Sequence, residues 1–478
     1  MKKFLEEIIE KCKKEYKIVF LFLIVFLVFV IINIVINNNI IKQNEAITET
    51  LGTLTQESKD KIAQLSEEDE IKIYLLNYAE DDYVSIFAKK YEGLGKKIVV
   101  ENKKTQEDEE FSNKYGIKDG YKILIISGDK SQIINEEDLY SYDYDTGNMI
   151  NLLEQRLTNG IIKVSSIGKN IPIAILKGHE KYKLETDLSI IKEHLKLENY
   201  ELKQVDLQSE NIPEECNTII ISTQNRDFLN TEIDKIKNYI NNGGNILWLE
   251  DAIVDDKDLP NLNSILDIYG VEHEGKGVIC EQNKNSMIMQ NPYIILPNIN
   301  AANIIKDTDM PEKIMFYYST KLNFANEEKL KELNIIKTEL LYTSENALFK
   351  KNLSSDPMTK TEEDEEGRFV IGAMLEKKFE EKSSKLIIYA NNYFITNQTM
   401  EIGNEKVSVA NLYNNKEFIQ KTIDYLTNNN DKIAIKKVVP RNYYIGIENE
   451  SVKQAIIVET AIFVVLAVGI FFIKNKNK

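Results

Sequence analysis

The chain has 478 residues, and its 76 acidic side chains outnumber the 60 basic ones, giving a formal net charge of −16 at pH 7. So negative a surface repels nucleic acid and anionic lipid headgroups, which argues against both as partners. Three cysteines and three histidines are too few for a disulfide framework or a histidine metal cluster, and we predict no metal and no other cofactor. Whether Cys216 pairs with Cys280 stays open at this stage.

The first element in chain order is an uncharged apolar span over residues 18–36 (IVFLFLIVFLVFVIINIVI). A helix of roughly 20 apolar residues crosses the hydrocarbon layer, and no small-residue cleavage site follows this one. Six lysines lie in residues 1–17, and short lysine-rich flanks stay in the cytoplasm. We therefore predict an uncleaved transmembrane anchor after a cytoplasmic N-terminus, with a buried core helix as the alternative.

A first α/β domain is predicted over residues 70–145, after a juxtamembrane helix in residues 37–69. Its strand, helix, strand and hairpin pattern is the order of a thioredoxin-like domain. The loop at residues 77–83 (NYAEDDY) carries no cysteine, so thiol chemistry is excluded there. The predicted elements are a strand at 70–76, a helix around 82–94, a strand at 97–101, and hairpin strands at 121–127 and 132–134.

A connecting helix is predicted at 149–162 within residues 146–170, and a longer α/β domain follows over residues 171–430. Its strands alternate with helices of ten to twelve residues, which predicts a parallel sheet covered on both faces. An acidic run at 362–366 (EEDEE) is predicted to be a solvated loop. The predicted strands are 171–176, 201–206, 218–222, 245–249, 368–375 and 385–390, and the predicted helices are 187–197, 231–241 and 417–426.

The candidate ligand-binding residues of this domain are His179, Glu180, Asn225 and Asp251, with Glu250 beside the last. In open α/β sheets, ligands bind beyond the carboxyl ends of the strands at the topological switch point, where these residues are expected. A histidine among carboxylates could act as a general base. However, no Gly-x-Ser-x-Gly elbow or nucleophilic cysteine follows any strand, so no catalytic residue is predicted. The alternative is a structural histidine that caps a helix or hydrogen-bonds across the crevice.

A second apolar span, residues 455–473, follows a linker at 431–454 and precedes a tail at 474–478 with three lysines. We predict a second transmembrane helix, again with a buried core helix as the alternative. Both termini are then cytoplasmic, and the domains between the spans are extracytoplasmic. Glu459 lies within the second span, where a carboxylate is costly, so it is expected to face a partner protein.

A series of motifs runs along nearly the whole chain, namely residues 65–74, 157–164, 177–180, 239–244, 365–369 and 390–394. The order of these motifs resembles the auxiliary subunits of ABC transporters typified by the gliding-motility G protein. The family shows Gly-His-Gly-Glu and Asp-Ser-Asp-Phe where this chain has residues 178–181 (GHEK) and 391–394 (NNYF), and the loss of those carboxylates favours a scaffold.

The resemblance implies a thioredoxin-like domain without redox cysteines and a domain like class I glutamine amidotransferases without their nucleophile. It also implies partners, namely the permease and ATPase subunits of an ABC transporter. We therefore predict a non-enzymatic, membrane-anchored auxiliary component that presents two α/β domains outside the cell. The alternative is an extracytoplasmic hydrolase or ligand sensor that works at His179.

Overall fold

A computed structural model describes residues 52–142, 148–252, 259–272, 276–300, 313–402, 405–429 and 437–439. The chain divides into two compact units. In the smaller unit, whose described residues are 52–54, 148–151 and 437–439, strands Met149–Asn151 and Lys437–Val439 pair antiparallel. The larger unit holds all other described residues, including both predicted α/β domains. The predicted helix at 149–162 is therefore wrong at its start, because a strand occupies Met149–Asn151.

The first sheet of the larger unit has four strands in the order β2-β1-β3-β4. Strands β1 and β2 are parallel, whereas β3 pairs antiparallel with both β1 and β4. The predicted strand, helix, strand and hairpin order is therefore present. The elements are α1 (Gln56–Ala63), β1 (Ile71–Leu76), α2 (Tyr83–Ala88), β2 (Ile98–Lys103), α3 (Glu109–Lys114), β3 (Lys122–Ser127), β4 (Lys130–Asn135) and β5 (Tyr140–Tyr142).

Helix α4 (Leu153–Val164) joins the first sheet to the second domain through buried polar contacts, and it follows β6 (Met149–Asn151). The Arg156 guanidinium donates from Nε to the carbonyl oxygen of Asp138, 3.1 Å away, and forms a buried ion pair with Glu198. Gln155 and Asn159, on the same helix, also donate to the Glu198 carboxylate. These bonds fix α4 against both domains, since buried polar groups are costly to leave unpaired.

The central sheet has eight strands in the order β15-β18-β21-β22-β10-β9-β7-β8. Five neighbouring strands, from β22 to β8, are parallel, and short apolar runs such as residues 218–221 (TIII) are buried on both faces. The strands of this half and their helices are β7 (Ile171–Leu176), α5 (Ser189–Leu197), β8 (Tyr200–Val205), β9 (Thr218–Ile221), α6 (Asn230–Asn241), β10 (Asn245–Leu249) and β22 (Ser383–Tyr389).

The other three strands of this sheet are antiparallel, which corrects the prediction of a purely parallel sheet. Strand β21 turns directly into β22 through residues 379–382, and so short a connection permits only antiparallel pairing. The three strands are β15 (Asn298–Ile299), β18 (Ile335–Tyr342) and β21 (Val370–Lys378).

Helices cover both faces of the central sheet. The connection from β7 to β8 and the connection from β9 to β10 run in opposite directions across the sheet. Because such crossovers are right-handed, their helices lie on opposite faces of the sheet. Accordingly α5 packs against α9 (Asn415–Leu426), and α6 packs against α7 (Pro260–Ile268). The end of α6 needs glycine, because Gly243 has φ +88° and a Cβ at Gly244 would collide with the Tyr239 ring.

Smaller β-structures flank the central sheet: the pairs β11–β17 and β23–β24, and the three-stranded sheets β12-β19-β20 and β13-β14-β16. Their bounds, with the remaining helix, are β11 (Val271–Glu272), β12 (Val278–Cys280), β13 (Met287–Ile288), β14 (Asn291–Ile295), β16 (Phe316–Tyr317), β17 (Asn323–Phe324), α8 (Glu327–Glu332), β19 (Ala347–Lys350), β20 (Glu365–Gly367), β23 (Thr399–Ile402), β24 (Glu405–Ser408) and, in the smaller unit, β25 (Lys437–Val439).

The acidic run at 362–366 is not simply a solvated loop. Asp364 is buried and accepts from the Lys350 ammonium at 2.5 Å, and Glu365, at the start of β20, pairs with Lys321 at 2.5 Å. Only Glu362 and Glu363 in this run are exposed without an ion pair among the described residues. Lys350 and Lys321, which pair with Asp364 and Glu365, come from other parts of the chain. The local sequence of the acidic run therefore gives no sign of these ion pairs.

No helix within the described ranges is long and apolar enough to cross a membrane. The predicted spans at 18–36 and 455–473, including Glu459, lie outside those ranges, as does most of the predicted juxtamembrane helix, of which α1 is the described part. Cys216 and Cys280 are both buried free thiols, so they do not pair. Burial raises the pKa of Cys216 to about 11 and that of Cys280 to about 12, which keeps both thiols protonated at neutral pH.

Candidate functional site

The polar residues predicted from sequence meet at one edge of the central sheet, at the carboxyl ends of β7, β9 and β10. Strand β7 lies between β8 and β9, so the strand order reverses between β7 and β9, and the residues after these two strands flank the switch point. His179 and Glu180 follow β7, Asn225 follows β9, and Asp251 follows β10. The structure therefore brings all four together.

His179 is 5 % exposed and bonded to residues that sequence reasoning missed. Its Nε2 lies 3.0 Å from Oε1 of Glu232, in the first turn of α6, and its ring stacks on Phe228 with centroids 4.6 Å apart. The other carboxylate oxygen of Glu232 accepts from the backbone N–H of Leu229 at 2.7 Å. Within the described chain, Nδ1 of His179 has no hydrogen-bond partner. The histidine thus contacts the start of α6 through a buried carboxylate.

Glu180 and Asn225 hold the loops after β7 and β9 together. The backbone N–H of Asn225 donates to the carbonyl oxygen of His179 at 2.6 Å, and Glu180 forms an isolated antiparallel bridge with Gln224. The Glu180 carboxylate accepts from the backbone N–H of Gly178, whose φ of +105° favours glycine. These bonds close the loop on itself.

Asp251 is a buried acceptor that joins three strand ends. Its Oδ2 accepts from the Lys181 ammonium and the Tyr182 hydroxyl, each at 2.7 Å. Its Oδ1 accepts from the backbone N–H groups of Asn392 and Tyr393, at 3.0 and 3.2 Å. Burial, then the Asp251 charge, raises the pKa of Tyr182, so the phenol stays protonated and donates. Four donors therefore saturate this carboxylate.

Glu250, which follows β10, is a carboxyl group of this edge whose pKa is raised. Its backbone N–H donates to the carbonyl oxygen of Tyr389, and its side chain accepts from Nε1 of Trp248 at 3.3 Å. Burial, with a smaller contribution from the Asp251 charge, raises the pKa of Glu250 to about 7. A carboxyl group with this pKa can take up or release a proton at physiological pH.

No group of three or more His, Cys, Asp or Glu side chains within the described part of the chain could hold a metal ion. His194 lies elsewhere, with its Nε2 2.8 Å from the amide oxygen of Gln420, and His273 falls outside the described residues. The arrangement at the sheet edge can therefore orient loops and hold one titrating carboxyl, but it contains no activated serine or thiol nucleophile among its described residues.

A protein-family model matches the second domain of the chain. The family model described as an ABC-type uncharacterized transport system, the ABC transport auxiliary family, matches residues 171–422, just over half of the chain. The chain belongs to this auxiliary family. Membership makes the auxiliary protein a component of an ABC-type transport system, as the order of motifs predicted, and the matched region contains all four candidate site residues.

Three solved structures are similar to the auxiliary protein at low identity. The N-terminal domain of mmIFT52 is 13 % identical, with a TM-score of 0.39 over 55 % of this chain and 100 % of that one. A ThuA-like protein from Bacteroides uniformis is 14 % identical, with a TM-score of 0.32 over 54 % and 91 %. Another from Parabacteroides merdae is 10 % identical, with a TM-score of 0.34 over 57 % and 95 %. At these scores the likeness says nothing about ligands. No curated protein sequence matches the chain.

Proposed function

We propose that the chain is a non-enzymatic, membrane-anchored scaffold of an ABC transporter, which presents a thioredoxin-like and an amidotransferase-like domain outside the cell. The observation that carries this proposal is the state of the predicted site. His179 is bonded to Glu232, Glu180 to its own loop, and Asp251 to four donors. A site whose polar groups are committed to each other stabilises the loops and has few groups left for a substrate.

Two strand orders support the domain types in this proposal. The order β2-β1-β3-β4, with a parallel pair followed by a hairpin, is the arrangement expected of a thioredoxin-like sheet. The five parallel strands β8-β7-β9-β10-β22, with helices on both faces, suit a doubly wound domain. Helix α4 ties the two domains together, so they would reach a partner as one rigid body.

The proposed topology has both termini in the cytoplasm, and cysteine labelling tests it. Glu363 is exposed, unlike its buried neighbour Asp364, so Glu363→Cys should react with an impermeant thiol reagent in intact cells. Lys476→Cys should react only after lysis, because basic flanks remain inside. Both variants are made with Cys12→Ser, because Cys12 would itself react after lysis, whereas Cys216 and Cys280 are at most 1 % exposed and contribute little background. Labelling of Lys476→Cys in intact cells would contradict the two-anchor topology.

An extracytoplasmic hydrolase or ligand sensor is the second candidate, and two observations favour it. Glu250 has a pKa of about 7, and Nδ1 of His179 has no hydrogen-bond partner among the described residues. A carboxyl group that titrates near neutral pH at a strand end is what general acid–base catalysis requires. The two candidates therefore differ in whether the transport system needs the Glu250 proton.

Glu250→Gln separates these candidates, because glutamine keeps the shape and can still accept from Trp248 but cannot titrate. We expect the variant to leave transporter assembly and the ATPase rate of the isolated complex unchanged. The measurements are the amount of ATPase subunit that is isolated with the tagged chain and its ATP hydrolysis rate. A large loss of rate with normal assembly would favour the catalytic candidate and contradict the scaffold.

A further inference from the structure

A cavity of about 590 Å³ lies at the edge of the central sheet opposite the predicted site. It is lined by residues that directly precede three neighbouring parallel strands: Asn217 before β9, Gly244 before β10 and Lys382 before β22. Its volume lies in the range of small-molecule sites, roughly 300–1,000 Å³. No residue assigned above to the predicted site lines it, so it is a separate feature of the fold.

The cavity has a partly apolar floor that the backbone holds in place. Ile212, Pro213 and the Tyr239 ring line it, together with the buried thiol of Cys216. The Tyr239 ring lies so close to Gly244 that a Cβ at that position would collide with it. The floor therefore offers ring and aliphatic surface of fixed shape to a small ligand.

Three asparagine side chains line the rim of the cavity with their amide groups available for hydrogen bonds to a ligand. Asn211, Asn238 and Asn242 line it, and their side chains form no hydrogen bond within the described part of the protein. Each amide offers two donor hydrogens and an acceptor oxygen. Such groups suit a ligand with several hydroxyls, since each hydroxyl both donates and accepts.

Two lysines give this rim a positive charge in a protein whose net charge is −16. The Lys235 ammonium donates to the carbonyl oxygens of Leu207 and Glu210, at 2.6 and 2.8 Å, and keeps one N–H for a ligand. Lys382, in the turn between β21 and β22, has no ion pair or hydrogen bond from its ammonium among the described residues. Among the residues that the structure describes, Glu214 is the only carboxylate that lines the cavity.

A second cavity, of about 710 Å³, extends the positive surface on the other side of the same turn. Lys377 and Lys378 line this second cavity, and Lys382 lines both cavities. The carboxylates that line the second cavity are those of Glu380 and Glu381. Lys377 donates to the carbonyl oxygen of Leu333 at 3.0 Å, and burial lowers the pKa of its ammonium. The Lys382 ammonium is therefore placed to attract an anion in either cavity.

From these features we propose that the cavity at the amino ends of β9, β10 and β22 binds a hydroxyl-rich organic anion. An acidic sugar and a polyol phosphate share this chemistry: the negative charge meets Lys382 and Lys235, the hydroxyls meet the asparagine amides, and the carbon skeleton lies on Tyr239. This site is independent of the scaffold function proposed above and does not use the His179 edge.

The test is isothermal titration of the purified full chain with four probes: glucuronate, glycerol 3-phosphate, glucose and inorganic phosphate. We expect saturable binding of glucuronate or glycerol 3-phosphate, and at least about tenfold weaker binding of glucose and of inorganic phosphate. Which of the two anions binds identifies the ligand source. Equal binding of glucose, equal binding of inorganic phosphate, or no binding of any probe would each overturn the proposal.

Variants locate the binding. Lys382→Gln should weaken it about tenfold or more, because a charged hydrogen-bond donor is lost. Lys331→Gln is the matched control, since this exposed lysine on α8 forms no ion pair with any residue in the described ranges and lies outside both cavities. Glu214→Gln should strengthen binding of the anion, because it removes the lining carboxylate. Equal affinity of the Lys382 variant and the wild type would show that the anion binds elsewhere.

Discussion

Glu198→Ala is expected to lower the free energy of unfolding by about 3–5 kcal/mol, the usual cost of breaking a buried ion pair on one side. Glu198 is fully buried and Arg156 is 4 % exposed, so the substitution leaves a guanidinium without its counter-ion inside the protein. Chemical denaturation of wild type and variant measures the difference.

A double variant tests whether the loss of stability comes from the unpaired charge of Arg156. Arg156→Met combined with Glu198→Leu removes both charges and fills the space, so most of the lost stability should return. As a surface control, Glu332→Ala breaks the pair with Lys329, whose side chains are both more than half exposed, and should have no measurable effect. A Glu198→Ala variant as stable as the surface control would show that α4 is not held by this pair.

Asp364→Ala is expected to cost about 3 kcal/mol for the same physical reason. The Lys350 side chain is 2 % exposed, and once the carboxylate is gone its ammonium keeps, within the described part of the chain, a single acceptor, the Thr359 carbonyl oxygen 2.7 Å away. Thermal or chemical unfolding should show the loss, and Lys350→Met with Asp364→Leu should recover most of it. The adjacent Glu363→Ala is the matched control, because Glu363 is exposed and pairs with no lysine among the described residues.

The Asp364 effect should also depend on pH. Burial alone would raise the pKa of Asp364, but the Lys350 ammonium and the two Thr361 donors outweigh it and hold this pKa below its ordinary value. A lowered pKa means that the folded state releases the proton more readily than the unfolded state. The stabilisation is therefore complete above about pH 4 and is lost as the pH falls through the lowered pKa. A wild-type advantage that grew below pH 4 would contradict this assignment.

The strands that the sequence predicted well are those with purely local signals. The runs at Ile171–Leu176 and Asn245–Leu249 are apolar, short and bounded by glycine or polar residues, and their predicted bounds match the structure. The end of α6 at Asn241 was also predicted, because Gly243 and Gly244 stop a helix with one apolar face. The closeness of His179, Asn225 and Asp251 follows from their positions after parallel strands, because the carboxyl ends of such strands meet at one edge of the sheet.

The features that sequence reasoning missed depend on residues far apart in the chain. Met149–Asn151 has helical spacing, yet it pairs as a strand with Lys437–Val439, which no local pattern indicates. The partner of His179 is Glu232, which lies in the first turn of α6 and far along the chain from the loop after β7. Leu229, which precedes this helix, is not a typical capping residue, so the local sequence gives no sign of the contact. Asp364 lies in a run of acids that resembles a solvated loop, and its ion pair is with Lys350 on β19, which the local sequence of the run does not indicate.

The measurement that most directly tests the central proposal is isolation of the tagged full chain from native membranes, with its partners identified by mass spectrometry. We expect one ATPase and one permease of an ABC transporter to be recovered with it in fixed proportion. Glu459→Leu, which removes the carboxylate predicted to face the permease within the membrane, should reduce permease recovery. Isolation of the chain from native membranes with neither an ATPase nor a permease would contradict the account.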